Sequence, residues 1–412
     1  MIVASAPDRL GVWLDGIRVA DLEQPRFPNI RLRYTDEAVD LWPLNSPVVS
    51  CSLPLSRSAL DAQGFCRGLL PEGQALQTLA ANAGVAANAT YELLARYGKD
   101  VAGALIVSEA APEERLFDVE RYSTDGLVAA IDDIDDYPLG SHDDSELSLA
   151  GLQDKLLLVE LGAGAWGRPL HGRPSTHILK VDDRRRPGLV QAEARCLTVA
   201  REVGLTTIEP ELLLVGDTEC LVVSRFDRSV DGDSVRRVHQ EDLCQALNVD
   251  IEAQQGRGKY ESAGGPTFRA AARLLDEHAR DPQAQLDQLA RCMTFTVLIG
   301  NADAHGKNLA VLHPEPGEIT LAPLYDTVPT ILWPRLKTTA AMSIGGQTAL
   351  PKVTLSDLVA EARSWNHPAA RSDEIIRDTV RQVVEAAKVI DGTGDPRLPE
   401  YIRDRAEQLI GS

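Results

Sequence analysis

The sequence predicts an α+β fold, with a mixed, β-rich first part and a mostly helical second part. Short apolar runs separated by turn residues recur up to about residue 230 and indicate strands with a few helices. From about residue 240 onward, apolar residues recur mostly with helical spacing. The chain has 412 residues, which exceeds the size at which one hydrophobic core stops growing, so two or three domains are expected.

Residues 1–110 are predicted to form a small mixed domain. Asp15-Gly16 lies between two short apolar runs, a pattern that is typical of a β-hairpin. The other elements predicted here are a strand at 31–34, helices at 64–70 and 90–96, and a strand at 101–107. Residues 111–147 are predicted to be a connector, because acids, Gly and Pro accumulate at 132–147. A solvated loop explains that composition, and a mobile segment with a role in function is the alternative.

Residues 148–235 are predicted to form a twisted sheet with one helix. The predicted elements are strands at 156–159, 177–181, 212–215 and 220–223, a helix at 189–203 that ends at Gly204, and a Gly- and Pro-rich loop at 162–174. Lys180 stands out because it is a charged residue inside an apolar strand. Such a lysine either extends to solvent at a sheet edge or binds a nucleotide phosphate, and in the second case Glu193 is the candidate ion-pair partner.

Residues 236–412 are predicted to be mainly helical, with one hairpin. The predicted helices are 268–280, 286–299, 372–390 and 397–410, and the hairpin is 309–324. The strands of a hairpin are antiparallel, so the chain is expected to bring Asp326 back to the neighbourhood of Asn308.

The composition limits the possible functions. Apolar residues make up 44% and charged residues 25% of the chain, as in ordinary globular proteins, and the formal charge of −19 argues against non-specific binding of nucleic acid. None of the six cysteines is in a Cys-x-x-Cys pair and no histidine is spaced to complete a zinc site, so no zinc site is expected. The cysteines are expected to be reduced, and no signal peptide or membrane span is recognised in the sequence. These observations favour a cytoplasmic protein.

The loop at 301–308 carries the strongest functional signal. Asp303 is followed five positions later by Asn308, and Asp326 comes after the predicted hairpin. Phosphoryl transfer needs one carboxylate beside the attacking hydroxyl and oxygen ligands for Mg²⁺ on the nucleotide phosphates, and protein kinases use the same Asp-x4-Asn interval. Asp303 is therefore the candidate catalytic base, although an Asp in a loop can also cap the next turn.

Two further residues of this loop, His305 and Lys307, are candidates with open alternatives. His305 more often supports such a loop by hydrogen bonding than takes part in chemistry. Lys307 either neutralises a phosphate in the transition state or is a surface lysine. The segment 148–155 precedes a strand and contains Ser and Gly, but it has neither the kinase nor the P-loop glycine pattern, so by itself it is a weak signal.

Together these segments resemble the HipA-type serine/threonine kinases, the toxins of bacterial HipBA toxin–antitoxin pairs, over nearly the whole chain. The matching segments, in chain order, are Ser148-x-Ala150-Gly151-x-Gln153-x-Lys155, 177–180, 225–228, 240–245, 259–262, 264–266, Asp303-x-His305-x-Lys307-Asn308 and Tyr325-Asp326. The resemblance implies a protein-kinase-like two-lobe fold with a β-rich N-terminal lobe and a helical C-terminal lobe.

The resemblance also implies a role for each matching residue. Asp303 would be the catalytic acid/base, and Asn308 and Asp326 would bind Mg²⁺. The nucleotide-binding set would be the loop residues Ser148, Ala150, Gly151, Gln153 and Lys155 over the ATP phosphates, Lys180 with Glu193 at the phosphates, and Phe226 and Asp227 at the adenine and ribose. Ser148 matches a serine that these kinases autophosphorylate, which switches them off. Ser224 stands where the family has an acidic residue, so the adenine contacts are less defined.

The resemblance further implies partners. The expected protein substrate is an aminoacyl-tRNA synthetase, and the expected partner is a HipB-type helix-turn-helix antitoxin, through which alone the chain would contact DNA. Two other functions stay open: a catalytically quiet co-repressor subunit that binds a DNA-bound antitoxin, and a kinase of small molecules.

Overall fold

The computed structural model describes residues 7–112, 118–141, 147–149, 153–162, 164–182, 185–232 and 234–411. The chain forms two compact units, and neither is a continuous stretch of sequence. The first unit comprises Met1–Val181, Leu213–Glu241 and His313–Gly317. The second unit comprises Asp182–Leu212, Asp242–Leu312 and Glu318–Ser412.

The first unit begins with a five-stranded sheet and four helices that share one core. The strands are β1 (Leu10–Leu14), β2 (Ile17–Arg26), β3 (Asn29–Tyr34), β4 (Leu60–Asp61) and β5 (Ile106–Ser108), in the order β4-β3-β2-β1-β5, and the helices are α1 (Asp36–Leu41), α2 (Gln63–Gly68), α3 (Gly73–Ala83) and α4 (Thr90–Tyr97). Asp15 and Gly16 both have positive φ angles, 48° and 80°, as the tight turn between β1 and β2 requires. The predicted hairpin is therefore confirmed.

A second sheet of the first unit packs one face against a helix. Its elements are β6 (Val119–Arg121), α5 (Thr124–Asp132), β7 (Lys155–Glu160), β8 (Trp166–Pro169), β9 (His177–Val181), β10 (Pro210–Val215) and β11 (Thr218–Ser224), with the strand order β10-β11-β9-β7-β8-β6. Leu127 and Ile131 of α5 share a core cluster with Leu156 and Leu179 of the sheet. Short strands follow at β12 (Arg228–Asp231), β13 (Ser234–Arg237) and β14 (His239–Asp242).

The structure differs from the predictions in three places of the first unit. The predicted connector at 111–147 contains β6 and α5, which Ser123 caps by accepting from the amide of Gly126. The predicted loop at 162–174 contains β8, which pairs with β6 and β7. The strand predicted at 101–107 is limited to β5, Ile106–Ser108. For β6 and β8, pairing with residues distant in sequence, which local composition does not show, decides the structure.

The second unit is mainly helical. Its elements are α6 (Leu189–Glu202), α7 (Leu243–Ala246), α8 (Ala253–Gly256), α9 (Phe268–His278), α10 (Pro282–Ile299), β15 (Ala310–His313), β16 (Thr320–Leu321), β17 (Thr339–Ile344), β18 (Gln347–Ala349), α11 (Leu355–Arg363), α12 (Ala369–Ala386) and α13 (Arg397–Ile410). The predicted helices and the hairpin of β15 and β16 are confirmed, with ends shifted by a few residues. The pair β17–β18 and helix α11 were missed. Helix α10 is buried along nearly all of its last eleven residues and is the centre of this unit.

The whole chain thus has the predicted α+β character. Among the described residues, no helix is both long and apolar enough to cross a membrane.

Candidate active site

The loop at 301–308 follows directly from the end of α10. Gly300 ends the helix with a φ of 74°, a conformation that favours glycine, and a Cβ there would lie 2.3 Å from a side-chain carbon of Ile331. Ala302, two residues after Gly300, is fixed through its backbone. Its amide donates to Thr330 Oγ1 (2.8 Å), and its carbonyl accepts from the amide of Ala341 (3.0 Å). The start of the loop is therefore held in place by hydrogen bonds of its backbone.

Asp303 is exposed at the surface of this loop and is held by a tyrosine. The hydroxyl of Tyr260 donates to Asp303 Oδ1 at 2.8 Å, and the amide of Asp303 donates to Asn301 Oδ1 at 3.1 Å. A carboxylate that is oriented by one donor and accessible from solvent can accept a proton from a hydroxyl group. Tyr260 was not among the residues singled out from the sequence as part of the site.

Asn308 is oriented by the same loop. Its Nδ2 donates to the backbone carbonyl of Asp303 at 3.1 Å, and its own amide donates to the carbonyl of His305 at 2.8 Å. Because a carbonyl can only accept, the side-chain NH₂ of Asn308 faces the loop and its Oδ1 faces away. An amide oxygen presented in this way suits a hard cation such as Mg²⁺.

The chain after the hairpin contacts this loop through Tyr325, the residue before Asp326, and the predicted approach of Asp326 to Asn308 stays a prediction. Strands β15 and β16 pair through Val311 and Leu321, and the hydroxyl of Tyr325 donates to the carbonyl of Lys307 at 2.6 Å. Asp326 has a φ of 52°, which is unusual for a residue other than glycine. Strained backbone of this kind is concentrated at functional sites.

Lys307 and His305 hold the loop in place. The Nζ of Lys307 is buried and lies 2.8 Å from Oδ2 of Asp242, whose Oδ1 accepts from the amide of Gln245 and caps α7. The ring of His305 packs edge-on against the ring of Tyr260, with 5.2 Å between centroids. For both residues the geometry favours a structural role over direct contact with a phosphate or a substrate.

Replacing Lys307 by Met is expected to destabilise the second unit by about 3–5 kcal/mol, because the buried carboxylate of Asp242 would lose its cation. Urea unfolding of the variant and of Lys337→Met, an exposed lysine of the same unit, measures the difference. If Lys307 instead served a phosphate, nucleotide affinity would fall while the unfolding midpoint stayed unchanged.

The first unit presents two lysines side by side. Lys155 on β7 and Lys180 on β9 are directly opposite in the antiparallel register, so their side chains lie on the same face of the sheet. Both are largely buried. Two ammonium groups on one face of a sheet can donate charge-assisted hydrogen bonds to phosphate oxygens. Lys180 belongs to the first unit and Glu193, buried in α6, to the second, so the predicted ion pair stays a prediction.

Ser148 is fully buried in the first unit. Its hydroxyl donates to the carbonyl of Leu69 at 2.8 Å and its amide donates to the carbonyl of Asp100 at 3.0 Å. Gln153 Nε2 donates to the carbonyl of Val181 at 3.3 Å, at the end of β9. Ala150 and Gly151, which were predicted to cover the phosphates, lie outside the described residues.

Asp227 has a different role from the one expected of it. Its two carboxylate oxygens accept from Arg225 Nε (2.9 Å) and Nη2 (2.7 Å), and Oδ2 also accepts from the amide of Gly103 (2.7 Å) and lies 2.9 Å from Arg228 Nη1. Only 2% of the residue is exposed. Its carboxylate is thus fully used inside the unit, and the geometry does not favour a contact with adenine or ribose. Phe226 is half-buried, and its predicted nucleotide contact stays a prediction.

Asp227 is part of a buried ionic cluster that also contains Asp100, Arg225, Arg228 and Arg237. Asp100 Oδ1 lies 2.8 Å from Arg228 Nη2 and 3.2 Å from Arg237 Nη1. Burial opposes ionisation of Asp227, but Arg225 and Arg228 outweigh it and hold the pKa of that carboxyl well below its usual range. Burial lowers the pKa of Arg237 to about 10, so the side chain stays charged at neutral pH. The cluster therefore joins loop 100–103 to the segment that follows β11 by charge pairs.

Comparison with known proteins identifies the family to which this chain is similar. Residues 10–108 match the HipA N-terminal domain and residues 147–387 match the HipA-like C-terminal domain. A protein of Sinorhizobium fredii with a provisional kinase name, Y4mE, is 34% identical over 406 residues, which cover 94% of this chain and 93% of that protein. The serine/threonine-protein kinase toxin HipA of Shewanella oneidensis is 30% identical over 320 residues, or 74% of this chain and 71% of that protein.

A solved structure gives the same result for the fold. The complex of HipA, HipB and operator DNA from Shewanella oneidensis contains a chain that matches with a TM-score of 0.81 and 24% identity, covering 98% of this chain and 96% of that one. The predicted kinase-like fold is confirmed, and fold and relatives together define a protein of the kinase class. The chain belongs to the HipA family.

Proposed function

We propose that this chain is a serine/threonine protein kinase that uses ATP and Mg²⁺. The observation that carries the proposal is the loop at 301–308, where Tyr260 orients an exposed Asp303 and Asn308 turns its amide oxygen away from the loop. The side-chain oxygens of Asn308 and Asp326 are the hard donors that Mg²⁺ prefers, and they would hold it. When bound, Mg²⁺ supplies neutralisation of phosphate charge.

The remaining residues then have defined tasks. Asp303 accepts the proton of the attacking seryl or threonyl hydroxyl. Lys155 and Lys180 hold phosphate oxygens on their shared face of the sheet. His305 and Lys307 keep the loop in position, so that Asp303 needs little rearrangement during the reaction.

We further propose that the kinase is the toxin of a toxin–antitoxin pair. The name of the Shewanella oneidensis relative, which calls that protein a serine/threonine-protein kinase toxin, supports this, and its solved complex with HipB supports a HipB-type antitoxin as partner. The net charge of −19 is consistent with leaving contact with DNA to that partner. An aminoacyl-tRNA synthetase as substrate and a cytoplasmic location remain predictions from the sequence.

Autophosphorylation of Ser148 fits this proposal as an off-switch. The hydroxyl is buried against Leu69, so the segment must leave this position before Ser148 can accept a phosphoryl group. A phosphate carries about −1.5 to −2 charges at neutral pH. Burying that charge again at a position with no accessible surface would be unfavourable. The segment that carries phosphorylated Ser148 would therefore not return to its buried position.

Mass spectrometry of the purified full chain with and without Mg-ATP tests the kinase proposal. We expect phosphate on Ser148 only when both Mg²⁺ and ATP are present. The signal should vanish in Ser148→Ala and persist in Ser58→Ala, which changes an exposed serine of the same unit. Adding purified aminoacyl-tRNA synthetases to Ser148→Ala then searches for the substrate. Label found on a metabolite and never on protein would indicate a small-molecule kinase, and failure to bind Mg-ATP would indicate a quiet co-repressor.

A further inference from the structure

Three side chains of the first unit that are far apart in sequence come together, two of them buried and the third, Cys51, half-buried. Cys51 lies in the loop before β4, Glu241 lies on β14 and His313 ends β15. The Sγ of Cys51, a carboxylate oxygen of Glu241 and a ring nitrogen of His313 all lie within 4.8 Å of one another. No residue of the proposed kinase site belongs to this group.

His313 has the hydrogen-bond pattern of a histidine that binds a metal. Its Nδ1 is 3.1 Å from the carbonyl oxygen of Pro47, and its Nε2 is 3.0 Å from Glu241 Oε1. A neutral imidazole has one N–H, and since a carbonyl can only accept, that N–H belongs on Nδ1. A metal ion on Nε2 would take the place of the proton that Nε2 otherwise shares with Glu241 Oε1. Histidines that bind metals typically donate their other N–H to a backbone carbonyl or a carboxylate in this way.

Glu241 is held in position by hydrogen bonds. Its Oε2 accepts from Ser50 Oγ at 2.5 Å and its Oε1 accepts from the amide of Cys51 at 2.8 Å. Oε1 also lies 3.0 Å from His313 Nε2, so both carboxylate oxygens have fixed neighbours. Hydrogen-bonded carboxylates of this kind support metal sites as well as ion pairs.

The thiol distinguishes a metal site from a simple ion pair. A proton shared between His313 and Glu241 would need no third group, whereas Cys51 adds a soft donor at the same point. Thiolate, imidazole and carboxylate are the three ligand types that Zn²⁺ takes in proteins. We propose that Cys51, Glu241 and His313 bind one Zn²⁺ ion, with water or a nearby hydroxyl in the fourth position of a tetrahedral site.

The ion would fasten three stretches of the first unit to each other. His239 supports the arrangement, because its ring stacks on that of His313 at 4.7 Å and its Nε2 lies 2.8 Å from the carbonyl oxygen of Val49. The segment His313–Gly317 contributes only five residues to the first unit, and a metal ligand at its first residue would anchor it there. The site is thus structural and does not depend on the kinase proposal.

Metal content of the full chain tests this inference directly. The protein is purified without a histidine tag, equilibrated with Zn²⁺, freed of unbound ion by gel filtration and measured by mass spectrometry of the metal. We expect about one Zn²⁺ per chain, as for a single site. The content should fall close to zero in Cys51→Ser and His313→Gln and stay unchanged in His278→Gln, a histidine of the second unit.

Cobalt provides a readout that does not rely on variants. Co²⁺ bound to the unmodified chain should give tetrahedral visible bands and a thiolate-to-cobalt charge-transfer band in the near ultraviolet. Zn²⁺ should also raise the melting temperature of the parent protein. The inference is overturned if the parent binds no metal, if Cys51→Ser keeps its full content, or if bound Co²⁺ shows no thiolate band.

Discussion

Replacing Asp303 by Asn is expected to lower the rate of phosphoryl transfer by about 10²–10⁴-fold while leaving the fold intact. Asn has the same shape and can still accept the hydrogen bond from Tyr260, but it cannot take the proton of the attacking hydroxyl. The initial rate of labelling on Ser148, measured with saturating Mg-ATP, gives the effect. Asp276→Asn, which changes an exposed carboxylate on α9 of the same unit, is the matched control and should behave like the parent.

The same variant separates chemistry from binding. Nucleotide affinity, measured by calorimetry with a non-hydrolysable ATP analogue, should change little, because Asp303 is assigned to the hydroxyl and not to the nucleotide. Labelling of Asp303→Asn at the parent rate would remove Asp303 from its assigned role. A parallel loss of nucleotide binding and of thermal stability would show that the loop had lost its structure, which the Asp276→Asn control should not show.

Replacing Asp227 by Asn is expected to destabilise the protein by about 3–5 kcal/mol, as found when one partner of a buried ion pair is removed. Two arginines, Arg225 and Arg228, would lose an anionic neighbour where their side chains are almost fully buried. Urea unfolding followed by fluorescence measures the change in the free energy of unfolding. Asp231→Asn, at an exposed position four residues further on, should leave that free energy within about 0.5 kcal/mol of the parent.

This experiment also decides between two roles for Asp227. A contact with ribose would make Asp227→Asn weaken nucleotide binding with little effect on stability, which is the reverse of what the buried cluster predicts. The acid dependence gives a second readout. The pKa of Asp227 is lowered in the folded state, so its stabilisation is present above the ordinary pKa of about 3.9 and is lost as the pH falls below it. Stability of the variant should therefore fall less steeply on acidification than that of the parent.

The part of the candidate site that could be read from the sequence is local. Asp303 and Asn308 lie on one loop. Two apolar runs around Pro314 and Gly317 predict the hairpin that precedes Asp326. Short-range order of this kind depends on turn chemistry and apolar periodicity, both of which are visible in one sequence.

The remaining features depend on contacts between distant residues. Lys155 stands opposite Lys180 only because β7 pairs with β9 in one particular register. In the sequence, Asp227 is only a residue that follows a strand. The structure shows that its carboxylate accepts hydrogen bonds from Arg225 and from the amide of Gly103. Cys51 and Glu241 are 190 positions apart, so no spacing rule could reveal that they lie beside each other. Such positions are set by tertiary packing, which composition and periodicity do not encode.

The interleaved course of the chain has a consequence for its synthesis on the ribosome. The first sheet can close once Ser108 has emerged and paired with Gly11, early in translation. The buried ion pair of Asp100 cannot form until Arg228 has been made, 128 residues later. The central helix α10 likewise cannot pack against α13 until that helix has been made. Domains that are continuous in sequence can finish folding one at a time, whereas here the first unit is complete only after Gly317 has been made, when much of the second unit has also been made. The nascent polypeptide is therefore expected to need chaperone protection for most of its elongation.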